Sequence, residues 1–215
     1  MKSSIVLTML VGAALASKGV DYSTLQSVAT HQCWKTNGMS FAIPRAYCSF
    51  GGMDEHGRQN VANARAAGIP YVDIYMFPCR GKSAQAQVNE LVAGMGSSNY
   101  GMIWLDIETN PSTGCSWSSF SHASNCDYIN ELVTAIKGHG KAPGIYSSIH
   151  MWTEIMGAAG NCGGHGGLPL WYAHYDDSAS FSDFSPFGGW TKPNIKQYHG
   201  TTSLCGGGVD LSWYP

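Results

Sequence analysis

Asp106 and Glu108 stand one residue apart in the segment YGMIWLDIET, directly after the apolar run Met102, Ile103, Trp104 and Leu105. Alternate residues of a strand face the same way, so the two carboxyls project to one side, about 7 Å apart along the chain. Two carboxyls in one partly dehydrated site do not ionise with equal ease, and the one pushed up in pKa keeps its proton and can donate it. Glycoside hydrolysis needs such a pair. Parity puts Met102 and Trp104 on the same side, with an indole beneath the acids that raises a neighbouring carboxyl. On this reading Glu108 is the proton donor to the leaving oxygen and Asp106 its ionised partner. Beside an N-acetylated sugar, such a partner can steady the acetamido group as it attacks the anomeric carbon, and the choice between that route and a protein nucleophile stays open.

The elements around this segment alternate. A short apolar run that ends in charge reads as a buried parallel strand, and barrels keep their chemistry at the C-terminal ends of such strands. Gly19 to Ser23 ends in Asp21, which by itself could cap a helix. Phe41 to Tyr47 reads as a second strand, with Pro44 arguing for a bulge or an interrupted edge. A helix is expected from Asp54 to Ala67, then a third strand from Ile69 to Phe77, then a helix capped by Ser83 with Val88, Leu91 and Met95 on its buried stripe. A further helix carries Tyr128, Ile129, Leu132, Val133 and Ile136 to Gly138, and strand Gly144 to Ser147 follows. After a short helix around 151–156 the rhythm changes. Leu168 to Tyr175, Asn194 to His199 and Gly208 to Tyr214 are strand-like and separated by loops. The expected fold is α/β: a modified TIM-like barrel of about eight mostly parallel strands and about five helices, the last three strands joined without helices.

On the third strand, parity groups Tyr71, Asp73, Tyr75 and Phe77 inward and leaves Val72, Ile74 and Met76 for the helices. An acid inside a barrel needs a partner, and Arg45, grouped inward with Tyr47, is the nearest candidate, so an Arg45 to Asp73 ion pair is expected.

The 215 residues fit one well-buried domain. Charged residues are only 12 %, aromatics reach 12 % and the formal net charge is −2, so there is no basic footprint for nucleic acid. Residues 1–16, with Lys2, an apolar core from Ile5 to Leu15 and Ala14 and Ala16 at A-x-A spacing, read as a secretory signal peptide, leaving a domain over 17–215. No other run approaches the length of a membrane span, so no membrane anchor is expected after cleavage. Seven cysteines in an exported chain imply disulfides with at least one thiol left over. Cys115 and Cys126, flanking a Ser-rich loop, are the one pair suggested. No CxxC occurs and Cys162-Gly-Gly-His165 is too sparse for zinc, so neither metal nor cofactor is expected. The Gly-rich segments lack the strand-to-helix setting of a phosphate loop, and no nucleophile elbow supports Ser/His/Asp chemistry. The histidines show no spacing that singles out a base or ligand.

Taken in order, GVDYS, Arg45-Ala46 after an apolar strand, LDIE, PGIYSS, PLWYAHYD, IKQY and the closing GVDLSWY resemble glycoside hydrolase family 25, the lysozymes also called N-acetylmuramidases. The resemblance implies cleavage of the β-1,4 bond between N-acetylmuramic acid and N-acetylglucosamine in bacterial peptidoglycan, by a monomer that is secreted or held in the lumen of a digestive or lysosomal vesicle. It implies Glu108 as general acid/base assisted by Asp106, with Asp21 and Asp210 as first- and last-strand aspartates of the catalytic site. Arg45, Tyr47, Tyr75, Tyr146 and Trp171 would be substrate-binding residues. Pro44, the segment DIYMFPC and the abundance of Cys depart from the commoner bacterial pattern and resemble a eukaryotic secreted branch. A chitinase-like glycosidase is the main alternative, but Trp104 stands where such enzymes carry a further acid. A catalytically silent glycan-binding protein on the same scaffold is the other, and it has no need of a poised acid.

Overall fold

A computed structural model describes residues 16–215. All but the last residue of the expected signal segment lie outside the described residues. Strand β1 (Ser17–Tyr22) leads to α1 (Val28–Thr36), whose first turn is closed by Ser27 Oγ accepting from Thr30 N. Strand β2 (Met39–Cys48), the two-residue β3 (Gly52–Met53) and α2 (Gly57–Ala66) follow. The third barrel strand is split at Asp73 into β4 (Tyr71–Val72) and β5 (Ile74–Met76). Then come α3 (Ala84–Met95), β6 (Ile103–Asp106), α4 (His122–Gly138), β7 (Pro143–Ser147) and α5 (Ile149–Met156). Ser83, Ser121 and Ser148 cap α3, α4 and α5 with their hydroxyls, satisfying amides that helix starts leave without partners. The chain ends in β8 (Leu170–Ala173), β9 (Ile195–Leu204) and β10 (Gly207–Tyr214).

The sheet closes. β1 pairs with β2 in parallel and with β10 antiparallel, and the ring runs on through β5, β6, β7, β8 and β9. The antiparallel member is β10, joined to β9 by a hairpin. This is the expected modified barrel, with five α-helices among the described residues, and no α-helix links β8, β9 and β10.

Two apolar layers result. Val72, Ile74, Met76, Ile103 and Leu105 pack under the helices with Val88, Leu91 and Ile129. Phe41, Ile43, Trp104, Tyr146, Trp171 and Ile195 fill the barrel. Parity on β5 and β6 therefore holds as expected. Gly144 makes room for this filling, because a Cβ there would come within 2.5 Å of the Trp104 ring. The floor beneath the acids is thus an indole seated on bare backbone.

Several expectations are corrected. β2 runs through Pro44, but its register with β5 slips between Arg45 and Tyr47, so Arg45 pairs with Tyr75 and Tyr47 with Met76. That bulge puts Arg45 and Tyr47 on different sides. Tyr47 is fully buried under the helices, its hydroxyl donating to Glu90 Oε2 at 2.8 Å, and does not reach the mouth of the barrel. Arg45 pairs with Asp54 instead of Asp73, with Nε 2.7 Å from Oδ2. Asp73 accepts from Met102 N at 2.8 Å and from Trp104 Nε1 at 2.9 Å, so its partners come from the adjacent strand. The disulfides are Cys33–Cys205, Cys79–Cys115 and Cys126–Cys162, with Cys48 free. Cys115 and Cys126 are therefore not partners: each ties its own end of the Ser-rich loop to a different neighbour.

Candidate active site

The C-terminal ends of the parallel strands surround a cavity of about 100 Å³ lined by Asp21, Asp106, Glu108 and Asp210. Four carboxyls from β1, β6, the residues just after β6, and β10 thus meet in one place. Tyr75, Tyr146 and Trp171 form aromatic walls, completed by Tyr175 and Gln197. Tyr146 stacks edge-on against Trp171 at 4.7 Å, and Trp171 meets Trp104 at 5.9 Å. Arg45 does not line the cavity; its positive charge reaches Asp106 and Tyr75 from beside it.

The cavity opens in two directions. Past Glu108, Tyr146 and Tyr175 it meets a groove of about 520 Å³ walled by Ile149, His150 and Met151 at the start of α5 and by Tyr172 and His174. Past Asp21, Tyr75 and Asp210 it meets a second groove of about 340 Å³ bordered by Ser23, Thr24, Thr201 and Thr202. The acids therefore lie between two grooves, each of which shares lining residues with their cavity.

Dehydration dominates the electrostatics. Burial pushes Asp106 well above the usual carboxylate range, and the neighbouring Glu108 adds to the rise. Asp106 Oδ1 is buried without a hydrogen-bond donor. Burial raises Glu108 too, opposed by its contacts with Asp106 and the Tyr146 hydroxyl. The sequence-based picture of an ionised Asp106 beside a protonated Glu108 is thus modified. Asp106 is the deeper of the two and both are raised, so the proton belongs to the pair and not to Glu108 alone.

The opposite wall repeats the pattern. Asp21 is raised well above its ordinary value by burial and by Asp210 beside it, while Gln197 and Ser212 hold it down. Burial raises Asp210, and the Thr201 amide and the His199 charge oppose that rise. Asp21 Oδ2 accepts from Gln197 Nε2 at 2.8 Å, and the same nitrogen donates to Asp210 Oδ2 at 3.3 Å. Gln197 Oε1 accepts from the hydroxyls of Tyr146 at 2.6 Å and Tyr175 at 2.8 Å.

Gln197 and Tyr175 do not stand out as site residues in the sequence, although both lie in segments that carry the family resemblance. Parity holds a signal for Gln197, since Ile195 two residues earlier fills the barrel. Nothing in its spacing distinguishes Tyr175, which follows the end of β8.

Among the described residues, His174, Asp176 and Asp183 bring possible metal-ligand atoms within 4.8 Å of one another. The cation they hold is Lys196, whose buried Nζ lies 2.8 Å from both Asp176 Oδ2 and Asp183 Oδ1.

The family model described as Lysozyme-like protein 1 matches residues 12–198. The chain is 46 % identical over 205 residues to "Probable GH family 25 lysozyme 2" of Dictyostelium discoideum, covering 93 % of this chain and 92 % of that one. It is 39 % identical over 206 residues to "Lysozyme-like protein 5" of Caenorhabditis elegans, covering 93 % and 92 %. Among solved structures, the bacterial lysozyme from Streptomyces coelicolor superposes with a TM-score of 0.76 at 25 % identity, covering 94 % of this chain and 93 % of that one. With the closed barrel and its five helices, these similarities identify the chain as a member of the glycoside hydrolase family 25 lysozymes.

Proposed function

We propose that the chain hydrolyses the β-1,4 bond between N-acetylmuramic acid and N-acetylglucosamine in peptidoglycan, with Glu108 as general acid/base and Asp106 assisting it. The observation that carries this reading is the convergence of four carboxyls between two open grooves. A polymer laid along such grooves is cut where the acids meet it. Glu108 is the less buried member of its pair and borders both the cavity and the larger groove, so it is the acid placed to protonate the leaving oxygen. With the proton on Glu108, Asp106 carries the negative charge of the pair and faces the acetamido group, which attacks the anomeric carbon as the proton passes to the leaving oxygen and Glu108 becomes the carboxylate. Asp21 and Asp210, joined through Gln197, set the charge of the facing wall. Tyr175 and the half-buried Tyr75 supply ring faces on which sugars stack, while the buried Tyr146 and Trp171 back the site.

Three disulfides fit folding in an oxidising compartment, and no helix among the described residues is long and apolar enough to cross a membrane. We place the protein outside the cell or in the lumen of a digestive vesicle, acting on bacterial walls in defence or nutrition.

Digestion of purified peptidoglycan, with the new reducing ends identified by mass spectrometry, tests the reading. Muramic acid ends are expected. Glucosamine ends, or no release, would contradict it.

A further inference from the structure

A groove of about 380 Å³ lies between the Ser-rich loop that precedes α4 and helix α5. Two elements lead into it from the larger groove of the active site. Glu108 borders the larger groove, and the next two residues, Thr109 and Asn110, line this one. On α5, Met151 walls the larger groove, while Glu154 and Ile155, one turn further along the same side, line this one. Between the two, Thr109 Oγ1 lies 3.7 Å from Met151 Sδ.

One wall holds an aromatic ring in place. Phe120 lines the groove and is 39 % exposed. The Arg80 guanidinium lies 3.8 Å from the centre of its ring, a cation–π contact. Arg80 is itself almost fully buried and fixed, donating to Asn125 Oδ1 at 3.1 Å and to Ser124 Oγ at 2.6 Å. The chain is anchored before Phe120 by the Cys79–Cys115 disulfide and the turn Trp117–Ser119, and after it by the Ser121 cap of α4. The ring is therefore ordered in advance, at no further entropic cost when something stacks on it.

The rest of the lining is mostly polar, with Ser116, Ser118, His122 and Glu154. Trp117, also in the lining, has its Nε1 buried with no acceptor among the described residues, a donor left for a ligand oxygen. A sugar offers an apolar face to Phe120 and hydroxyl and acetamido oxygens to these groups. The stem peptides of peptidoglycan, which end in carboxylates, meet one acid in this lining and no Lys or Arg.

We propose that this groove is a further glycan subsite, in which Phe120 stacks on an N-acetylated sugar of the strand beyond those held in the cavity and its two grooves. The proposal rests on the peptidoglycan reading given above.

The test is kcat and KM of the wild type, F120A, F120L and F120W on three substrates: long glycan strands with their stem peptides, the same strands with the peptides removed, and a tetrasaccharide, which the cavity and its two grooves hold alone. F120A and F120L should raise KM on both kinds of long strand about five- to tenfold with kcat unchanged, as when binding is lost and the chemical step is not. Neither should change the tetrasaccharide constants, and F120W should restore KM on long strands. F120L keeps an apolar side chain over Arg80 but has no ring, so it separates stacking from support of the loop and serves if F120A does not fold. A long-strand KM unmoved in both variants would overturn the subsite. So would an equal rise on the tetrasaccharide, which marks a structural role, or a rise seen only while the stem peptides are present, which assigns the groove to peptide. Failure of the wild type to release muramic acid ends would remove the peptidoglycan reading itself, whereas an unmoved KM removes the subsite alone.

Discussion

Arg45 and Asp54 form an ion pair at the barrel mouth, with Arg45 Nε donating to Asp54 Oδ2 at 2.7 Å. Asp54 is almost fully buried, and its other oxygen accepts from His56 N at 2.8 Å just before α2. One carboxylate thus fixes the guanidinium whose field reaches Asp106 and ties down the entry to a helix. Asp54→Ala removes both bonds and leaves Arg45 without its partner, and is expected to cost about 2–3 kcal/mol by denaturant unfolding. Asp54→Asn keeps an acceptor for the His56 amide and should cost less. Equal losses in the two variants would contradict this division of roles.

The acid cluster makes stability depend on pH. Asp21, Asp106, Glu108 and Asp210 all have native pKa values raised above those of the unfolded chain, so between the two values the native state binds more protons. Their contribution is present in full below the ordinary carboxylate range and is lost as pH rises through the raised native values. Asp183, held at about 2 by Lys196 and His174 against the effect of its burial, acts in the opposite sense but only in stronger acid. Tm should therefore fall from about pH 4 towards neutrality. Asp21→Asn should flatten that slope and raise Tm at pH 7, as measured by calorimetry. A slope unchanged in this variant would show that Asp21 does not hold a raised value.

Lys196 secures the wall of the larger groove. Its ammonium is completely buried between Asp176 and Asp183, while His174 Nδ1 and the Tyr172 hydroxyl close on Asp183 from the other side. These contacts bind the long β8–β9 connection to β9, and His174 and Asp183 both border the groove. Lys196→Met takes from both carboxylates the one ammonium they share and should cost about 3 kcal/mol, with new proteolytic cleavage within residues 174–194. Cleavage confined to other loops would contradict the clamp.

What can be read from the sequence depends on which forces are local. Asp106, Trp104 and Leu105 lie on the sides that alternation predicts because β6 is an uninterrupted strand. Tyr47 does not, because β2 shifts register at one residue, and a bulge leaves no trace in the spacing of apolar residues. Asp73 finds the Trp104 indole on β6 and the Met102 amide just before it in place of Arg45, a choice decided by the close approach of neighbouring strands. Helix α1 has no legible periodicity because only His31 and Trp34 of its nine residues are buried, too few for a stripe, although Ser27 marks its start. The pairing of Cys33 with Cys205 spans 172 residues and depends on barrel closure, which brings α1 to the β9–β10 hairpin. Gln197 is an ordinary inward residue by pattern; its importance comes from meeting residues on β1, β7 and β10 together with Tyr175.

The most direct measurement is the release of soluble fragments from purified peptidoglycan by Glu108→Gln, alongside the wild type and with Tm recorded for both. The variant removes the transferable proton and keeps the side chain's shape. Release should fall by at least about a thousandfold with the fold intact, as expected for loss of the general acid. Release near the wild-type rate from a folded Glu108→Gln protein would contradict the account.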